Sequence, residues 1–295
     1  MEGLEFSSFY VKRAVVPYEA NSMIGGGDSE SGEYKEGIKG SKATKDNILK
    51  DLQRVRGIGP KVAEEYYDKG VRTIKDLATL EWVPMATRLY ATYIYDIEAE
   101  IPLKYVYAFR TWLEVSLMEL PRMSIVEDVI LVGANRRGIV SSHDIDILII
   151  YSGGTAVGPD ESFHANMSEC IDEHLKSHRL HRGTLNKGAQ SMEFLWKLGG
   201  KVRVIELYYA PEHERGSALL HYTGPEQFNI LLRKRANKRG RILSQHGLFK
   251  LKRNGERGKL VASSTEEEVL NALGLPMIPP EERDSKDAIH MVVKG

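Results

Sequence analysis

The chain has 295 residues, enough for two or three small domains each with its own core. Its 41 lysines and arginines balance 41 aspartates and glutamates, so net charge names no polyanionic partner, and no apolar run approaches the ~20 residues of a membrane span. The single cysteine, Cys170, excludes an intrachain disulfide framework and suits a reducing compartment, and the acidic start MEGLEF has neither a secretory h-region nor transit-peptide composition.

Residues 1–42 open with a short apolar piece, Phe9 to Val16, and pass into GGGDSESGEYKEGIKGSK. Such a Gly, Ser and Glu run cannot bury enough apolar surface to offset its ordering entropy, which predicts a flexible tail. From Thr44 the pattern turns helical, with Ile48, Leu49 and Leu52 and then Val62, Ala63 and Tyr66 at helical spacing. Between them Gly57-Ile58-Gly59-Pro60 predicts a turn. Pro60 suits a first helical position, and the backbone N–H groups of a glycine-rich helix start are a ready anion site. Gly70 to Thr73 leads into a second helix.

Leu131 to Ile150 predicts strand, turn and strand. Asp144 and Asp146, two apart on a strand, project together, while Ile145, Ile147 and Ile149 face the other side. Adjacent carboxylates repel unless a cation lies between them, and hard cations such as Mg²⁺ take oxygen ligands of this kind. Upstream, Gly133 permits close backbone approach to a phosphate, and Arg136 and Arg137 offer guanidinium forks. A Gly-rich loop from Tyr151 to Gly158 and an amphipathic helix from Phe163 to Leu175 follow. His164, His174, His178 and His181 with Cys170 match no familiar zinc spacing and are expected as scattered surface histidines. Val202 to Tyr209 predicts a strand beside the Asp-x-Asp strand. It carries Glu206, an acid that is costly to bury unless paired or bound to a cation.

Gly224 and Pro225 punctuate the start of a helix whose Phe228, Leu231 and Leu232 form an apolar stripe, with Glu226, Asn229 and Arg233 sharing another. Basic runs at Arg233 to Arg241 and Lys250 to Lys259 stand against acidic ones at Glu266 to Glu268 and Glu281 to Asp284. Alone they decide nothing.

The run G-x-x-RRG followed by Asp-x-Asp resembles the nucleotidyltransferase superfamily, most of all the family X DNA polymerases. Gly57 to Pro60 resembles their helix-hairpin-helix motif, the Tyr222 to Arg233 block their nascent-base-pair helix, and LGLPMIPPEERD their usual end, so the resemblance covers about Thr44 to Asp284. It implies an α+β fold in four parts. These are a tail at 1–42, a helix-hairpin-helix DNA-binding domain at 43–103, a nucleotidyltransferase palm with a mixed β-sheet at 104–212, and a small α/β C-terminal domain at 213–295.

The implied activity is DNA-directed DNA synthesis that fills short gaps in repair. Asp144, Asp146 and Glu206 would be the catalytic, metal-ligating acids, Glu206 standing where counting back from Pro211 places the family's third aspartate. The implied cofactors are two Mg²⁺ ions, with Mn²⁺ as an alternative, and a monovalent cation at the hairpin. Gly133, Ala134, Arg137, Gly138, His143, Tyr222, Gly224, Glu226 and Asn229 would meet the nucleotide. Val55, Gly57, Ile58, Gly59, Lys61 and Arg233 would meet DNA. The partners would be gapped or primer-template DNA and deoxynucleoside triphosphates, for a nuclear monomer.

Several positions depart from the family. Leu103 and Lys104 follow Ile-Pro where an arginine is usual, and Ala134 replaces a serine. His143 stands where beta-like members have Gly and where polymerase mu and terminal transferase have His, and His221-Tyr222 stands where many have Tyr-Phe. The segment before Val55 is too short for the usual lyase domain, so no lyase activity is expected. These departures, with Glu206, leave open a non-catalytic protein that binds DNA ends.

Overall fold

Helical propensity and capping set the first described elements. Thr44 accepts a hydrogen bond from the Asn47 N–H to start α1 (Lys45–Leu52), and Thr73 with Asp76 forms a capping box at α3 (Ile74–Thr79). Between them lies α2 (Pro60–Asp68), and α4 (Met85–Thr92) and α5 (Ile94–Ile97) follow. Leu52, Val55, Ala63, Val71 and Leu77 are wholly buried and form one core among these short helices. None of the helices is long enough to be stable alone, so packing of this stripe holds them. The computed structural model describes residues 44–120, 123, 125–152 and 161–294, so the predicted tail, most of the Gly-rich loop and His164 lie outside the described residues or side chains.

A two-residue strand β1 (Ile101–Pro102) pairs with β3 (Ser141–Ser142) and leads into α6 (Leu103–Met118). The main sheet follows from β2 (Val126–Leu131), β4 (Asp144–Tyr151), β5 (His181–Lys187), β6 (Ser191–Leu198) and β7 (Lys201–Pro211), in the order β2-β4-β7-β6-β5. β4 and β7 run parallel, the other pairs antiparallel. The turn predicted after β2 is a single helical turn, α7 (Gly133–Arg136), and the amphipathic helix is α8 (Glu161–Ser177).

Both faces of β4 are covered, which explains its nearly unbroken apolar run. Ile145, Ile147 and Ile149 pack with Phe109 and Leu113 of α6 and Ile171 and Leu175 of α8. On the opposite face Leu148 and Ile150 pack with Val132, Ala210 and Ala218. Three of the histidines expected on the surface, His174, His178 and His181, are instead half-buried packing elements. His174 bonds Ser116 Oγ at 2.6 Å, His178 stands edge-on to Trp112 at 5.0 Å, and His181 stacks on Phe194.

The C-terminal part holds α9 (Arg215–Thr223), α10 (Glu226–Lys238), a three-stranded antiparallel sheet and two further helices. The strands are β8 (Arg241–Ser244), β9 (Gly247–Leu251) and β10 (Arg257–Ala262), and the helices α11 (Glu266–Ala272) and α12 (Lys286–Lys294). Phe228, Leu232, Leu248, Val269 and Leu270 fill its core. Buried Arg235 ties the helices together by donating to the carbonyls of Leu273, Gly274 and Val292. Among the described residues no helix is long and apolar enough to cross a membrane.

Candidate active site

Strand register builds the site. Asp146 on β4 lies directly opposite Glu206 on β7, and Glu206 lies opposite Glu193 on β6. Three acids therefore form a row across three strands, with Asp144 two residues before Asp146 on the same face. One carboxylate oxygen from each of Asp144, Asp146 and Glu206 comes within 4.8 Å of the others. Burial, then the charges of Asp144 and Glu206, push Asp146 up to about 8. Burial and Glu206 also raise Asp144, against the pull of Arg56. So dense a set of acids calls for a cation, and an all-carboxylate oxygen donor set suits a hard divalent ion.

The protein supplies a positive charge of its own at this place. Arg56 Nη1 lies 2.6 Å from Glu206 Oε1 and 2.6 Å from Glu193 Oε1. A guanidinium thus stands beside the carboxylates where a cation would, so the acids are arranged to accept positive charge. From the other side the Tyr208 hydroxyl donates to Glu206 Oε2 at 2.5 Å. Burial and the neighbouring Asp146 and Glu206 raise the Tyr208 hydroxyl far above its ordinary range, so it remains a donor. Its ring stacks on Tyr222 at 4.1 Å, linking Glu206 to α9.

Gly133 proves necessary for a reason other than phosphate approach. It adopts φ +57°, and a Cβ there would lie 1.9 Å from Asp146 Oδ2. The aspartate takes the space a side chain would need. The two arginines also separate in role. Arg136 is committed to Glu266, at 2.6 and 2.9 Å, and to Thr223 Oγ1 at 2.7 Å, so its fork is not turned to a phosphate. Arg137 donates to the Thr223 carbonyl at 2.6 Å and pairs with Asp284, which places it beside Gly224. Ala134 and Gly138 flank these arginines, and Gly138 has φ +81°.

His143 is exposed and lines an open cavity of about 190 Å³ with Arg56, Tyr90 and Asp144. A cis peptide, Gly224–Pro225, leads into α10. There Glu226 is exposed, Asn229 donates to the His221 carbonyl at 2.7 Å, and Arg233 Nη2 lies 3.2 Å from His221 Nδ1. Two residues of the predicted polar stripe of α10, Asn229 and Arg233, therefore meet at His221.

At the hairpin, the Ile58 N–H bonds the Val55 carbonyl at 3.0 Å with Gly57 at φ +84°, the geometry of a type II turn. Gly59 is the N-cap of α2 and makes no side-chain cap, and the space beside both glycines is open. Val55 and Ile58 are core residues whose N–H groups are already bonded within the chain. Of the predicted DNA-contact positions in this loop, Gly57, Gly59 and Lys61 face outward. Lys104, offered as a substitute for the usual arginine, is exposed with its amine over the Tyr105 ring at 4.9 Å.

Three site residues escape sequence reasoning: Arg56, Glu193 and Tyr208. Glu193 did carry a signal, since it is a lone acid in the apolar run SMEFLWKL as Glu206 is in VRVIELYY.

The DNA polymerase beta thumb family matches residues 218–284. A DNA polymerase lambda of Rattus norvegicus is 25% identical over 252 residues, covering 80% of this chain and 42% of its own length. That of Arabidopsis thaliana is 28% identical over 249 residues, covering 78% and 45%. The chain thus spans less than half the length of these curated relatives. A Leishmania infantum polymerase beta in a ternary P/T complex superposes with TM-score 0.72 at 23% identity, covering 81% of this chain and 99% of that one. Its ternary gap complex gives 0.72 at 24% identity, with 82% and 92% covered. The thumb match, the polymerase lambda relatives and the polymerase beta fold all make this chain similar to the family X DNA polymerases.

Proposed function

We propose that this chain is a DNA-directed DNA polymerase that extends a primer 3′-hydroxyl with deoxynucleotides and fills short gaps during nuclear DNA repair. The observation that carries the reading is the convergence of Asp144, Asp146 and Glu206 within 4.8 Å at the edge of a half-buried row. Two Mg²⁺ or Mn²⁺ ions held by these acids would supply activation of the primer hydroxyl and neutralise charge on the triphosphate and departing pyrophosphate. Tyr208 orients Glu206, and Gly133 makes room for Asp146. Ala134, Arg137, Gly138 and His143 border the triphosphate. Tyr222 and Gly224 support its sugar side, and α10 presents Glu226 and Asn229 to the incoming base and Arg233 to the template. Gly57, Gly59 and Lys61 hold the DNA backbone, and the hairpin would hold a monovalent cation. The beta-type relatives in ternary P/T and gap complexes support gapped or primer-template DNA and nucleotide as the ligands.

A second reading, a non-catalytic protein bound to DNA ends, draws on the engagement of Glu206 by Arg56 and on Ala134 and Leu103 at positions where polar contacts are usual. Primer extension on a one-nucleotide gap separates the two. The expected result is extension with Mg²⁺ or Mn²⁺ that Glu206→Gln abolishes while the thermal unfolding transition is retained. Gap binding without extension in either metal selects the second reading, and full activity in Glu206→Gln removes Glu206 from the ligand set.

A further inference from the structure

Arg56 occupies the second position of the hairpin turn, between buried Val55 and Gly57, in the same loop whose outward glycines are assigned to the DNA backbone. From there it crosses to the palm and shares one nitrogen between two carboxylates, each 2.6 Å away. The second of these, Glu193, lies outside the cluster of Asp144, Asp146 and Glu206. Its Oε1 is buried and makes no well-directed hydrogen bond, so its ion pair with Arg56 is what offsets its burial. Two inward acids, one beyond what an ion would need, make this a built seat for a guanidinium rather than an incidental surface contact.

Glu206 cannot serve the arginine and a divalent cation equally. An ion on Glu206 would stand within a few ångström of Arg56, and like charges at that range repel. Arg56 is also about half exposed, so it can leave without unfolding the turn, and the nearest strong anion presented to a hairpin loop by DNA is a phosphate.

We propose that Arg56 is an internal competitor for the divalent cation at Glu206, and that a DNA backbone phosphate at the hairpin withdraws it, so that DNA and metal bind cooperatively. This rests on the polymerase reading of the site. The coupling is reciprocal by thermodynamic necessity: what DNA gives to metal affinity, metal gives to DNA affinity.

The test is Mn²⁺ titration of the full chain followed by electron paramagnetic resonance, without nucleotide, with and without a gapped duplex. An Asp144→Asn, Asp146→Asn double variant subtracts Mn²⁺ held elsewhere and on the DNA. Arg56→Ala should tighten Mn²⁺ binding about three- to tenfold in the absence of DNA, and Arg56→Lys should stay near the parent. Gapped DNA should tighten Mn²⁺ binding in the parent and markedly less in Arg56→Ala. Arg56→Gln repeats the measurement should the alanine variant fold poorly. Equal Mn²⁺ affinities in parent, alanine and glutamine variants, or an equal DNA effect in all three, overturn the proposal and leave the polymerase reading standing. Absence of carboxylate-dependent Mn²⁺ binding in every variant overturns both.

Discussion

His221 shows how one half-buried side chain ties local geometry to solution behaviour. Its carbonyl accepts from Asn229 and its ring faces Arg233, so burial first and the Arg233 charge second depress its pKa to about 4. The unfolded value is near 6.5, so between pH 6.5 and 4 the unfolded chain binds a proton that the folded chain refuses. Stability must therefore fall as the pH drops through that window. Denaturation curves at pH 7 and 4.5 should show His221→Gln losing about 1–3 kcal/mol less than the parent over this range; matching losses would assign the acid sensitivity to other groups. At this scale the sequence was legible where side-chain period did the work: Asp144 and Asp146 share a face because they are two apart, and Glu206 stands out as a charge in an apolar strand. It was not legible for Arg56, which meets Glu206 across 150 positions, a contact that no local pattern encodes. Glu193 had the same local signature as Glu206, but no motif marked it.

Among the elements, α7 and α11 are joined through a charge cluster rather than through apolar packing. Glu266 at the start of α11 is buried, and so is Arg283, while Arg136 reaches in from α7. Burial works against ionisation of Glu266, but hydrogen bonds and charge from Arg136 and Arg283 outweigh it and hold the carboxyl below its ordinary range. Removing the one acid leaves two guanidiniums without a counter-charge. Glu266→Gln should destabilise the fold by about 3–5 kcal/mol, read as a lowered midpoint in chemical denaturation, and an unchanged midpoint would show that the cluster contributes nothing to stability. The sequence displays two adjacent arginines and a run of three glutamates, and it does not say which arginine turns inward or that the first glutamate is buried. Helix and strand positions followed from periodicity and caps. Strand order did not, because β4, which ends at Tyr151, pairs with β7, which begins only at Lys201.

On the scale of the whole molecule, a formal charge of zero conceals basic runs at Arg233 to Arg241 and Lys250 to Lys259, whose exposed members would meet a DNA ligand. Binding to gapped DNA should weaken at least tenfold between roughly 50 and 200 mM salt, by about the same factor on unrelated sequences, because each phosphate contact releases a counterion. A flat salt response or a strong sequence preference in fluorescence anisotropy would rule out a backbone clamp. The parallel pairing of β4 with β7 bears on how the chain survives damage. A slip of one residue would set Ile205 or Leu207 opposite Asp146 and turn Glu206 toward the layer that Phe109 and Ile171 fill. Since both faces of β4 are covered, the slipped strand would lose its packing along with its row of acids. Misassembled copies would then surface as open chains exposed to proteases rather than linger as intact molecules with a displaced metal site, so cellular turnover would act as a filter on chemical fidelity.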